Sequence, residues 1–186
     1  MIEGVMEYSD NKKELYEEVV LQLNGLFADC PHEIANLANA SALLNQAMKD
    51  INWVGFYRME LYEERDLAKA MEGNMHTKAD DREERLILGP FQGKPACVEI
   101  KVGKGVCGTA VEKEEIQLVK NVHEFPGHIA CDSASNSEIV LPIHKEGKVW
   151  GVLDIDSPIL GRFDEEDRIG LLQVVEVIEE MLIKAL

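Results

Sequence analysis

The chain lacks any apolar run approaching the roughly 20 residues needed to cross a bilayer, so no membrane-spanning helix is expected. It also lacks a C-x-x-C pair, the usual mark of a structural zinc site. Cys97, Cys107 and Cys131 with His123 or His128 are therefore not read as a metal set, and no metal or other cofactor is expected. Positive charge is scarce: 19 basic against 35 acidic side chains leave a net charge of −16. Such a surface repels nucleic acid and anionic membranes, which removes both from the expected partners. The first residues, "MIEGVMEYSDNKKELYEE", show no basic flank, apolar stretch or cleavage site of a secretory signal. The expected compartment is therefore cytoplasmic, where thiols stay reduced. Four cysteines in such a chain point to catalysis, redox chemistry, metal binding or simple burial rather than to structural staples.

What is present is enough to bury a core: 186 residues, 46% of them apolar. Leu15, Val19, Leu23 and Leu26 follow helical spacing after a cap at Ser9. Ile34, Leu37, Ala38, Leu44 and Met48 suggest a second helix after Cys30-Pro31. "INWVGFYRM" (51–59) and "RLILGPF" (85–91) read as partner strands, with the charged stretch from about 60 to 84 as an insertion in their hairpin. "CVEIKV" (97–102) is a strand feeding the turn and short helix of "GKGVCGTAVEKEE", and "QLVKNVHEFPGHIAC" is loop-like. Two strands follow, joined by a hairpin turn at Lys145-Glu146-Gly147-Lys148. A last helix opens at Asp164, with Ile169, Leu172, Val175 and Leu182 as its buried stripe. Helices at both ends and hairpin-linked strands between them predict one α+β domain over residues 1–186. Its antiparallel sheet is flanked by the N- and C-terminal helices, which is not a doubly wound parallel arrangement.

Three patterns bear on chemistry. Gly103-x-Gly105-x-x-Gly108 matches a dinucleotide fingerprint. No parallel β-α-β unit follows it, so it reads as a tight strand-to-helix turn. That turn sets Cys107 near a helix N-terminus, where partial positive charge can lower a thiol pKa; the alternative is a packed cysteine. In "GVLDIDS", a period of two places Asp154 and Asp156 on one strand face and Leu153 and Ile155 on the other. Such carboxylates raise each other's pKa, the more so if Glu138 joins them. One could hold a proton and act as an acid while the others hold an ammonium group; the alternative is acids facing solvent. Cys131, in "GHIACDSASNSEIVLPI", is either a nucleophile or a small hydrophobe filling a corner.

"NWVGFY", "LGPFQGKPAC", "VGKGVCGTA", "GHIACDSASNSEIVLP" and "GVLDIDS…GRFDEED" together resemble the free methionine-(R)-sulfoxide reductases, which are stand-alone GAF domains. The likeness covers Asn52 to Tyr57 and Leu88 to Asp167, with a longer charged insertion as its one departure. It implies an enzyme that reduces free L-methionine (R)-sulfoxide. In that likeness Cys131 matches the attacking cysteine, Cys97 the principal resolving cysteine and Cys107 a third that can also enter a disulfide. Trp53 matches an aromatic facing the substrate's methyl group, and Glu138, Asp154 and Asp156 match the acidic cluster around it. Cys30 matches no position and reads as structural. Thioredoxin is the implied reductant. A homodimer paired through helices fits the plan, and the rival is a GAF module that binds or senses a small molecule without catalysis.

Overall fold

The computed structural model describes residues 8–63, 82–127 and 134–185. The first helix, α1 (Lys12–Phe27), is capped by Asn11, whose side chain accepts the Glu14 amide. Ser9 sits two residues further out and accepts the Asn11 amide instead of capping the helix. Leu15, Val19 and Leu23 are buried as expected, while Leu26, in the last turn, is exposed. In α2 (Glu33–Ala47) the buried stripe runs through Leu37, Ala40, Leu44 and Ala47. Ile34 and Ala38 face outward because that stripe lies about one residue round from the expected one.

Six strands form one antiparallel sheet in the order β3-β2-β1-β6-β5-β4. They are β1 (Trp53–Glu63), β2 (Arg82–Gly93), β3 (Glu99–Lys101), β4 (Gln117–Val119), β5 (Ser137–Lys145) and β6 (Lys148–Ser157). The β1–β2 ladder continues from Glu60↔Arg85 to Glu63↔Arg82. The flanks of the expected insertion are therefore strand, and residues 64–81 lie outside the described residues. β4 falls in the segment read as a loop. Three residues are too few to show a period, and the strand exists by pairing with β5. The β5–β6 turn holds Glu146 and Gly147 at φ +53° and +75°, the left-handed pair such a tight hairpin needs.

Period two sorts the sheet into two faces. Val54, Phe56, Ile139, Leu141, Ile143, Leu153 and Ile155 pack under α1, α2 and the last helix, α4 (Glu165–Lys184), in the main core. Asp164 caps α4 with a reciprocal pair of side-chain bonds involving Asp167. Leu171, Val174, Val175, Ile178, Met181 and Leu182 form its buried stripe; Ile169 is exposed. The opposite face carries Trp53, Tyr57, Val140 and Val152 beneath α3 (Gly105–Lys113) in a second, smaller core. That smaller core is where the polar groups gather.

Candidate active site

Strand register assembles the acids. Asp156 lies opposite Trp53 on β1 and opposite Glu138 on β5, and Asp154 lies two residues along β6 on the same face. α3 roofs this face through the glycine turn. The Gly103 amide donates to the Gly108 carbonyl, and a Cβ at Gly108 would lie 2.3 Å from the Lys101 carbonyl oxygen. The fingerprint glycines therefore serve close packing of strand against helix. This packing lowers Cys107 onto the acids, with its Sγ 4.0 Å from Glu138 Oε1.

The result is a pocket walled by Trp53, Tyr57, Ile100, Cys107, Glu138, Asp154 and Asp156. Glu138 and Asp154 are each only 6% exposed. Burial, then the charges of Asp154 and Asp156, pushes the Glu138 carboxyl well up from its ordinary range. Asp154 is also pushed up by burial, and contacts with Cys107 and Glu138 pull it partway back. Of the two, Glu138 is pushed up the further, so it is the carboxyl that keeps a proton more readily. One oxygen of Asp154, Oδ1, is buried without a hydrogen-bond partner, an acceptor aimed at nothing in the protein.

Cys107 corrects one expectation. It sits in the first turn of α3, yet burial and the neighbouring Asp154 and Glu138 charges push its thiol well up rather than down. A helix-end field is worth at most about 2 kcal/mol, which desolvation beside two carboxyl groups exceeds. As a free, buried thiol it is a poor first nucleophile.

Trp53 stacks on Phe91 and Tyr57 at centroid distances of 5.3 and 5.9 Å. Its indole N–H donates to the Lys94 carbonyl at 3.1 Å. Tyr57, not among the site residues expected from the sequence, lines the same pocket and donates its hydroxyl to the Cys97 carbonyl at 3.0 Å. The signal was available: in "NWVGFY" a period of two from Trp53 lands on Tyr57. Cys97 is half-buried and engaged in a disulfide, whereas Cys30 and Cys107 are free thiols. Cys131 and His128 lie outside the described residues. Just after them, Ser135 is buried at the pocket and accepts a bond from the Asn52 side-chain amide at 3.1 Å.

Among the described residues, Cys107, Glu138 and Asp154 form the one group of three side chains able to hold a metal ion. A larger cleft of about 310 Å³ lies on the other side of the sheet, between α2 and β2, but no thiol lines it. Its Arg58 is already ion-paired with Glu33 and Glu60. The smaller pocket is the one lined by a thiol and by the buried acids.

The family model described as "GAF domain" matches residues 32–180. The free methionine-R-sulfoxide reductase of Escherichia coli is 47% identical over 172 residues, covering 92% of this chain and 91% of that protein. The protein of that name from Saccharomyces cerevisiae is 42% identical over 175 residues, covering 91% and 87%. Among solved structures, the Neisseria meningitidis free methionine-R-sulfoxide reductase in complex with its substrate superposes with a TM-score of 0.80. It shares 37% identity and covers 97% of this chain and 95% of that one. No helix among the described residues is long and apolar enough to cross a membrane. The acids, the aromatic wall and these likenesses agree: the chain belongs to the free methionine-R-sulfoxide reductases of the GAF domain family.

Proposed function

We propose that this chain reduces free L-methionine (R)-sulfoxide to L-methionine, with Cys131 as the attacking thiol. The observation that carries this reading is the buried Glu138–Asp154 pair with its unpartnered Asp154 oxygen, next to the Trp53 wall. An ammonium group satisfies that oxygen and the anionic share of the cluster, while the aromatic face takes the methyl group. A peptide-bound residue lacks the free ammonium, which accounts for a preference for the free amino acid.

In the chemical step the Cys131 sulfur attacks the sulfoxide sulfur, and protonated Glu138 supplies the proton that the departing oxygen requires. Net, the thiol and the sulfoxide exchange one oxygen, giving methionine and a Cys131 sulfenic acid. The Cys97 thiol then condenses with it, forming an S–S bond and releasing water. A dithiol such as thioredoxin restores both thiols and leaves as its own disulfide. Cys97 as the resolving partner is supported by its being disulfide-bonded while Cys107 is a free thiol. The reading extends to one domain over residues 1–186 with an inserted hairpin, to a cytoplasmic setting, and to a homodimer paired through helices that expose Leu21 and Ile183.

The test is NADPH consumption by the purified protein in a thioredoxin system supplied with each sulfoxide epimer. Turnover of the R but not the S epimer is expected. Cys131→Ser should abolish it, and Cys97→Ser should release about one methionine per enzyme and then stall. Full activity in Cys131→Ser overturns the assignment, and binding without turnover favours a sensor.

A further inference from the structure

We propose that Cys107, Glu138 and Asp154 form a binding site for a soft divalent cation, Zn²⁺ or Cd²⁺, whose occupation excludes the amino-acid substrate. Their donor atoms all lie within 4.8 Å of one another, and all three residues are buried. A tetrahedral ion with metal–sulfur near 2.3 Å and metal–oxygen near 2.0 Å holds its donors about 3.5 Å apart. The observed Sγ–Oε1 separation of 4.0 Å closes to that spacing with small side-chain rotations. Each donor stands on a different element: Cys107 on α3, Glu138 on β5 and Asp154 on β6. Their relative positions are fixed by the sheet register and by the glycine packing of α3, so the set exists before any ion arrives.

A second, independent observation points to a ligand. Asp154 is 94% buried, and its Oδ1 has no partner in the protein. Sulfur in the set decides the class of ion. A thiolate favours zinc and cadmium over magnesium and calcium, which prefer all-oxygen shells and higher coordination. The pocket supplies an open fourth position for water. These are not the residues of a structural zinc cluster, because Cys97 and the histidines take no part. The ion is an inhibitory occupant rather than a resident cofactor. It competes for the same Asp154 and Glu138 oxygens as the substrate ammonium, and by linkage each weakens the other equally. Only this consequence for turnover rests on the proposed function; the binding does not.

The experiment uses the full chain carrying Cys97→Ser and Cys131→Ser under anaerobic conditions, leaving Cys107 and Cys30 as the thiols. Titration with Cd²⁺ should give one equivalent of a sulfur-to-cadmium charge-transfer band in the ultraviolet, with matching calorimetric stoichiometry. Adding Cys107→Ser should abolish the band, Asp154→Asn should weaken binding about 10-fold or more, and Cys30→Ser should leave it unchanged. L-methionine should lower the apparent cadmium affinity. No band, a band surviving Cys107→Ser, or a band lost with Cys30→Ser overturns the site. If Cys107→Ser does not fold by circular dichroism, the Asp154→Asn and methionine arms decide instead, and unchanged affinity in both overturns it. A protein that binds cadmium in this way yet reduces neither epimer would sink the proposed function and leave the site standing.

Discussion

Replacing Asp154 by asparagine should make the ligand-free protein more stable at neutral pH while removing activity. Asparagine keeps the shape and loses the charge. The folded Asp154 carboxyl is held at about 6, against an ordinary 3.8, mainly by burial. The native state therefore keeps a proton that the unfolded chain releases once pH exceeds about 4. Stability falls as pH rises across that window, by about 1.4 kcal/mol per pH unit. Below pH 4 both states are protonated and the penalty vanishes; above pH 6 it is complete, at about 3 kcal/mol for the interval from 3.8 to about 6. Urea unfolding of wild type and Asp154→Asn at pH 4, 5, 6 and 8 reads the difference; groups remote from Asp154 cancel, while Glu138, burdened by the Asp154 charge in wild type only, adds to the wild-type penalty. The variant should gain steadily on wild type up to pH 6 and keep or widen its lead above that, because the Asp154 charge also burdens Glu138. A difference that stays flat from pH 4 to 8 would refute the reasoning, because the buried carboxyl would then not be titrating with folding. Such a lead would fit the proposed role of Asp154, a buried acid whose Oδ1 has no partner in the protein.

Two further outcomes follow from the same contacts. With Glu138 as the proton donor, turnover should decline on the alkaline side as the pair loses its proton, and Glu138→Gln should cut kcat by about 100-fold with that limb gone; a wild-type rate still climbing at pH 9 contradicts the role. Gly170→Ala should destabilise by about 2–3 kcal/mol in urea, an overpacking effect. Its Cβ would lie 2.0 Å from Tyr16 Cδ2, on a ring that is fully buried and anchored by its hydroxyl to Asp167 at 2.8 Å. Unchanged stability would mean that the ring moves freely.

Strand faces were legible in the sequence, because a period of two places Asp154 with Asp156 and Trp53 with Tyr57 whatever the strands pair with. The membership of Glu138 was not legible from spacing. Counting back from the turn, where Lys145 faces Lys148, pairs Glu138 with Ile155 and points it into the main core. A bulge between Ile143 and His144 shifts the register by one, so Glu138 meets Asp156 instead. Nothing in "PIHKEGK" announces that bulge. The helix stripes failed at Ile34 and Ile169 for a related reason: several apolar residues compete for the inward face, and packing decides among them. The sequence leaves Cys107 open between a lowered thiol and a packed one because its place at a helix start is local, whereas the carboxyls that push it up arrive from two strands. Its identity as a member of the cluster needed the fold.

Two hydrogen bonds tether the short connection leading to β3 to the aromatic wall: Trp53 holds the carbonyl of Lys94, and Tyr57 holds that of Cys97. On the proposed cycle, an external dithiol that shifts this connection as it reaches Cys97 pulls on both rings of the pocket wall. The proposed recycling step and the shape of the aromatic wall are thus mechanically linked. Initial rates against both substrates should trace parallel double-reciprocal lines, as release of methionine before re-reduction requires, and intersecting lines would contradict that order.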